Sequence, residues 1–132
     1  MKPDIQDLIS RAIDARQNAV APFSNFKVGA ALLSKDSRIY TGCNIENASY
    51  GLGMCAERVA LWKAVSEGSR EFVRIAIVTE ADVLTTPCGA CRQLLWEYCG
   101  DIALHLHSVK GLNQEYRLSE LLPHPFDKRS LM

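Results

Sequence analysis

The sequence lacks an excess of charge of either sign. Fifteen lysines and arginines balance fifteen aspartates and glutamates, for a formal net charge of +0. A protein that holds a long phosphate backbone or an anionic membrane concentrates positive charge on one surface. The composition therefore argues against a nucleic-acid polymer as partner, and against a membrane.

Long uncharged stretches are also missing. The longest runs without Asp, Glu, Lys or Arg have ten residues, at 17–26 and 47–56, whereas a membrane-spanning helix needs about 20 apolar residues. The first twenty residues alternate charged with apolar side chains and contain no signal-peptide core. We therefore expect a cytoplasmic protein, in a compartment where thiols stay reduced.

Cysteine is present in an odd number, which does not suit a closed disulfide framework. In a reducing compartment such cysteines are more often metal ligands or free thiols than disulfides. The five positions are Cys43, Cys55, Cys88, Cys91 and Cys99.

The hydrophobic pattern predicts a single α/β domain over residues 1–132. Apolar residues at helical spacing predict a first helix that stops before Pro22, and three further helical segments. Short apolar runs predict five strands, the first two joined as a hairpin by the polar residues 34–37. The predicted helices cover residues 5–20, 56–67, 89–98 and 119–122, and the predicted strands cover 28–33, 38–43, 73–79, 102–107 and 114–118.

The order of these segments predicts a mixed sheet with helices on its faces. Strands separated by a helix are expected to pair in parallel through right-handed crossovers. The fourth and fifth strands are separated only by residues 108–113, which are too few for a crossover. We therefore expect these last two strands to be antiparallel.

Two short motifs place thiols at predicted helix starts. One reads PCGAC at residues 87–91, and the other reads CAE at residues 55–57. If the two helix N-termini converge, their dipoles favour thiolates, and three thiolates around Zn²⁺ leave one coordination position open, as in catalytic sites. Two alternatives remain: a redox dithiol formed by Cys88 and Cys91, or a non-catalytic zinc module, in which Glu57 would have no purpose.

Taken together, the two motifs resemble the signature of the zinc-dependent cytidine deaminases. Three further segments resemble the small three-cysteine type that acts on free nucleosides, and the resemblance covers nearly the whole chain. These segments read FKVGAA at 26–31, CNIENA at 43–48 and CGACRQ at 88–93. The resemblance implies a three-layer fold, one zinc ion per chain, and a homotetramer whose active sites are shared between subunits.

The resemblance also implies a reaction: cytidine and 2′-deoxycytidine lose ammonia to give uridine and 2′-deoxyuridine, in pyrimidine salvage. In that reading the zinc activates a water molecule and Glu57 shuttles its proton, while Arg58 offsets the charge of the thiolates. The implied zinc ligands are Cys55, Cys88 and Cys91, and the implied substrate contacts are Phe26, Asn44, Glu46, Tyr50, Ala56 and Phe126.

The three histidines have no assigned role. His105 and His107 share one face of a predicted strand and could in principle bind a metal ion, whereas His124 lies in the terminal loop. The cysteine site already accounts for the zinc, so the sequence favours ordinary surface histidines here.

Overall fold

The computed structural model describes residues 2–132, in which helices and strands alternate much as the pattern predicts. The strands are β1 (Gly29–Ser34), β2 (Ile39–Cys43), β3 (Phe72–Thr79), β4 (Ala103–Ser108) and β5 (Asn113–Arg117). The helices are α1 (Ile5–Arg16), α2 (Ala56–Ser66), α3 (Gly89–Cys99) and α4 (Leu118–Leu121), with 3-10 turns at Tyr50–Leu52 and Lys128–Leu131. None of the helices in this part of the chain is long and apolar enough to cross a bilayer.

The strands form one five-stranded mixed sheet in the order β2-β1-β3-β4-β5. The predicted hairpin of β1 and β2 is present, and β4 and β5 are antiparallel, as expected. Strands β3 and β4 form the one parallel pair in the sheet. The three-layer α/β prediction is therefore confirmed.

The expected parallel pairing of β2 with β3 is wrong, because β1 lies between them and is antiparallel to both. All six residues of β1 are buried, whereas burial alternates along β2. A strand that is buried on both faces belongs inside a sheet, and an alternating strand suits an edge. The hairpin therefore inserts β1 next to β3 and leaves β2 at the edge.

Helix α1 ends four residues earlier than predicted. It begins with a reciprocal capping box between Asp4 and Asp7 and ends at Arg16. The apolar residue Val20 looks like a helical continuation, but its backbone instead pairs with the segment around Ile45. The chain after α1 thus runs beside the start of the loop that follows β2.

The sheet separates two hydrophobic cores. Helix α1 packs on one face, against alanine and valine side chains of β1 and β3, while α2 and α3 cover the other face. Glycine permits one especially close approach, because a Cβ atom at Gly42 would lie 2.4 Å from the Ala56 carbonyl oxygen and 2.6 Å from the Ala60 nitrogen. The start of α2 is thereby held directly against β2.

Candidate functional site: a three-cysteine centre and its cavity

Three cysteines from two helix starts come together in the fold. Cys55 is the N-cap residue of α2, Cys88 is the N-cap residue of α3, and Cys91 lies in the first turn of α3. Their sulfur atoms all lie within 4.8 Å of one another. Four-coordinate Zn²⁺ with Zn–S bonds of about 2.3 Å requires sulfurs about 3.8 Å apart. The three thiols therefore fit a zinc ion after only a small adjustment.

The chemistry of the thiols also fits a divalent cation. The pKa of Cys55 is lowered to about 6, chiefly because it accepts a hydrogen bond from the Cys91 thiol and because the positive charge of Arg58 is close. The same hydrogen bond and burial raise the pKa of Cys91. Cys55 therefore ionises more readily than Cys91, and a bound cation would displace the remaining thiol protons.

Arg58 directs its charge at this group of sulfurs. Hydrogen bonding to Cys91 and the nearby charges of Cys91 and Cys55 raise the pKa of the guanidinium further. Its Nε atom is buried and, among the residues described, has no hydrogen-bond partner. An arginine at this position in a helix is usually solvated, so the closeness of its guanidinium to the cysteines is a specific feature of the site.

Glu57 lies in the first turn of α2, two residues after Cys55, and only 6% of it is exposed. Burial raises the pKa of its carboxyl group to about 6, and the charge of Cys55 adds to this effect. A carboxyl group with a pKa close to neutral can both accept and donate a proton at physiological pH. The preceding residue, Ala56, is fully buried.

A cavity of about 560 Å³ adjoins the cysteine group, and Cys55 and Arg58 form part of its wall. Three of the residues predicted to contact substrate, Asn44, Glu46 and Tyr50, line this cavity; Phe26, Ala56 and Phe126 do not. The other lining residues are Phe23, Ser24, Ile45, Asn47, Gly51, Gly53 and Met54. Sequence reasoning did not assign these other residues, since each is an ordinary loop residue type.

Asn44 and Glu46 use their polar atoms to hold the chain that forms the opposite wall. Asn44 donates from Nδ2 to the Phe26 carbonyl at 2.8 Å and accepts from the Val28 amide at 2.8 Å. Glu46 accepts from the backbone amides of Phe23 and Ser24 at 3.0 and 3.1 Å, and from the Ser24 hydroxyl. Both residues therefore shape the cavity besides lining it.

The aromatic residues of the predicted pocket remain largely exposed in the single chain. Tyr50 is 80% exposed and Phe126 is 61% exposed, while Phe26 is 38% exposed. Tyr50 meets the ring of Phe23 edge-on, with centroids 6.0 Å apart. Tyr50 shares the wall of the cavity with Cys55, whereas Phe26 and Phe126 do not line it.

Arg92 is a site residue to which the sequence analysis assigned no role. Its guanidinium donates to the Pro87 carbonyl at 2.7 Å, to the Thr86 hydroxyl at 2.7 Å and to the Leu121 carbonyl at 2.8 Å. It thereby ties the turn before Cys88 to α4. The only sequence signal for a role of Arg92 was its position directly after Cys91. The sequence pattern does not reveal which groups accept hydrogen bonds from its guanidinium.

A buried carboxylate beside three converging thiols on an α/β scaffold defines the class of zinc-dependent deaminases. A family model, described as the cytidine and deoxycytidylate deaminase zinc-binding region, matches residues 2–104. The chain therefore belongs to the cytidine and deoxycytidylate deaminase family, and its cofactor is one Zn²⁺ ion.

Individual relatives agree with this assignment over almost the full length of the chain. A cytidine deaminase of Halalkalibacterium halodurans is 53% identical over 124 residues, covering 93% of this chain and 94% of the relative. One from Sporosarcina psychrophila is 46% identical over 129 residues, covering 97% and 95%. The crystal structure of cytidine deaminase from Burkholderia pseudomallei superimposes with a TM-score of 0.91 at 44% identity, covering 94% of this chain and 100% of that one.

Proposed function

We propose that this protein hydrolyses cytidine and 2′-deoxycytidine to uridine and 2′-deoxyuridine, releasing ammonia, as a cytoplasmic enzyme of pyrimidine salvage. The observation that carries the proposal is the buried carboxyl group of Glu57 beside the three thiols. A purely structural zinc site has no need of a buried acid next to the metal. A redox dithiol would not need Cys55 within reach of Cys88 and Cys91.

Cys55, Cys88 and Cys91 are the residues that would hold the zinc ion. When bound, zinc supplies a water molecule that ionises near neutral pH. Arg58 offsets the excess negative charge of three thiolates, which would otherwise weaken the electrophilic character of the metal.

In the proposed mechanism, Glu57 transfers protons from the attacking water to the substrate. Its carboxylate accepts a proton from the attacking water and delivers it to N3 of the cytosine ring, which makes C4 more electrophilic. After the new C–O bond has formed, Glu57 takes the remaining proton from that hydroxyl group and passes it to the amine as the C–N bond breaks. Water and cytidine are thus converted to uridine and ammonia, and Glu57 returns to its starting state. A pKa of about 6 suits both transfers.

The cavity supports two of the proposed substrate contacts. Asn44 and Glu46 line it with an amide and a carboxylate, groups that bind ribose hydroxyls, and we assign them to the 3′-OH. Phe26 stacks on the pyrimidine and Ala56 contacts the base. Because the contacted hydroxyl is the 3′-OH, the 2′-deoxynucleoside is accepted as well.

Tyr50 and Phe126 complete the pocket of a neighbouring subunit in a homotetramer. Their exposure in the single chain, 80% and 61%, supports this role because it leaves both rings free to contact a neighbouring subunit. Residues 1–132 act as one domain in this assembly.

The direct test is to incubate the purified zinc protein with cytidine, cytosine and cytidine monophosphate, and to follow the loss of absorbance and the release of ammonia. Cytidine is expected to react, while the free base lacks the sugar contact and the monophosphate brings charges that the cavity does not neutralise. Absence of reaction with cytidine, or a preference for the monophosphate, would contradict the proposal.

Metal analysis of the same sample separates the proposal from the redox alternative. We expect about one zinc per chain. A metal-free protein whose Cys88 and Cys91 oxidise reversibly to a disulfide would instead support thiol–disulfide chemistry.

A further inference from the structure

A second group of metal-ligand side chains lies on the sheet, away from the cysteines. His105 Nε2 lies 3.0 Å from Asn113 Oδ1, and His107 Nδ1 lies 2.7 Å from the same oxygen. Two imidazole nitrogens therefore converge on one amide oxygen. This arrangement is not explained by the deaminase site.

The strand register accounts for this convergence. His105 and His107 are two residues apart on β4 and therefore share one face. In the β4–β5 ladder, His107 is paired directly with Asn113, so the amide reaches across to both rings. A two-stranded backbone thus holds the three side chains, and only side-chain rotamers remain free.

The face that carries these residues is the opposite one from the zinc site. In the β3–β4 ladder, His105 and His107 are paired with Ala76 and Val78, which belong to the α1 side of the sheet. The alternate residues of β4, Leu104 and Leu106, pack in the core on the side of α2 and α3. Helix α1 lies mainly over the other half of the sheet, against β1, β3 and β2, and both histidines are partly exposed.

We infer that His105, His107 and Asn113 form a second metal site, which takes a borderline divalent cation such as Ni²⁺, Co²⁺ or Zn²⁺. Imidazole nitrogen is a preferred ligand of these ions, and the amide oxygen completes three ligands on one side while water fills the rest. The nearby carboxylate of Glu115 forms an ion pair with Arg74 at 3.3 Å. Because Glu115 is paired with this arginine, the proposed metal ligands are the three neutral side chains.

Each ring can bind the metal as a neutral imidazole. A neutral imidazole that donates a proton to the Asn113 oxygen must free that nitrogen for the metal. The proton moves through solvent to the other nitrogen of the same ring, so His105 binds through Nε2 and His107 through Nδ1. The other nitrogen of each ring then carries the proton.

The test is titration of the zinc-loaded protein with Ni²⁺, followed by calorimetry and by NMR of the histidine rings. We expect one additional ion per chain, with paramagnetic broadening of the His105 and His107 signals and little effect on His124, while the zinc content stays unchanged. Uniform broadening of all three histidines, or no added equivalent, would overturn the inference.

Substitutions of the three proposed ligands should change Ni²⁺ affinity in both directions, weakening it in some variants and strengthening it in another. His105→Gln and His107→Gln should each weaken Ni²⁺ binding at least about tenfold, and the matched control His124→Gln should not. Asn113→Asp should instead strengthen binding because it adds a negative oxygen ligand, a result that unfolding cannot mimic. Weaker or unchanged binding in Asn113→Asp would also overturn the inference. Cytidine turnover should be the same in all of these variants.

Discussion

The cysteine centre and the rim of the cavity differ in how the fold supports them. The centre rests on the starts of α2 and α3, and its central groups Ala56, Glu57 and Cys91 are almost fully buried. The rim consists of loops whose large side chains, Phe23, Tyr50 and others, are exposed. In the proposed function, the catalytic groups thus lie where packing is dense, and the substrate contacts lie where the chain is open.

This contrast predicts which property each substitution changes. At the cysteine centre, a substitution should alter metal content or stability, because the buried residues there support both the metal site and the packing of the fold. At the rim, a substitution should alter substrate binding with little effect on the fold.

Cys91→Ala should remove zinc and abolish cytidine turnover, because it takes away a proposed zinc ligand, a fully buried thiol in the first turn of α3. Metal analysis and activity assays on the purified variant check this. Cys99→Ala is the matched control, since Cys99 lies at the other end of the same helix and should keep one zinc per chain. A zinc content in Cys91→Ala equal to that of the parent would remove Cys91 from the ligand set.

Gly42→Ala should destabilise the protein by about 1–3 kcal/mol, because the new methyl group would push against the backbone of Ala56 and Ala60. Displacement of α2 should also weaken zinc retention, which a competing chelator measures. Gly51→Ala serves as control, because nothing lies within 4 Å of a Cβ atom there. Equal unfolding free energies for the two variants would show that the close contact at Gly42 does not limit the stability of the protein.

Asn44→Ala should raise the KM for cytidine about fivefold, the effect of losing about one net hydrogen bond, and change kcat less. The side chain holds the backbone of Phe26 and Val28 and, in our proposal, the sugar. Steady-state kinetics give the split between KM and kcat. Asn18→Ala, an exposed change beyond the end of α1, is the control; an unchanged KM in Asn44→Ala would refute the assigned contact.

Phe126→Ala should leave the unfolding free energy almost unchanged, because the ring is 61% exposed, yet lower kcat/KM by about two- to tenfold through loss of an aromatic contact. If the ring serves a neighbouring subunit, activity per chain should also fall on dilution to monomer. A monomer with full activity would contradict the shared site.

Local signals predicted most of the secondary structure and placed Cys55 and Cys88 at two helix starts. That these two starts converge was implied by the family resemblance, since helical periodicity does not show which helix ends meet. The position of β1 between β2 and β3 could not be expected, since the pattern predicts the buried faces of a strand but does not identify its neighbours. The predicted end of α1 was wrong for a related reason. The backbone of Val20 pairs with the segment near Ile45, and helical periodicity cannot reveal this partner.

The rim was the least predictable part of the site. The family resemblance pointed to Asn44 and Glu46, but nothing in the sequence showed that their polar atoms hold the segment from Phe23 to Val28. Arg92 likewise depends on carbonyl groups of Pro87 and Leu121, which the fold brings together from distant positions. Contacts of this kind arise only once the tertiary structure exists.

The most direct test of the proposed mechanism is zinc content and cytidine turnover measured on the same sample of Glu57→Gln. The amide has nearly the same shape as the carboxyl group but cannot carry the proton. We expect one zinc per chain, an unchanged fold, and a kcat lower by at least about a hundredfold. Turnover close to that of the parent protein, with zinc still bound, would contradict the role of Glu57 as the proton carrier.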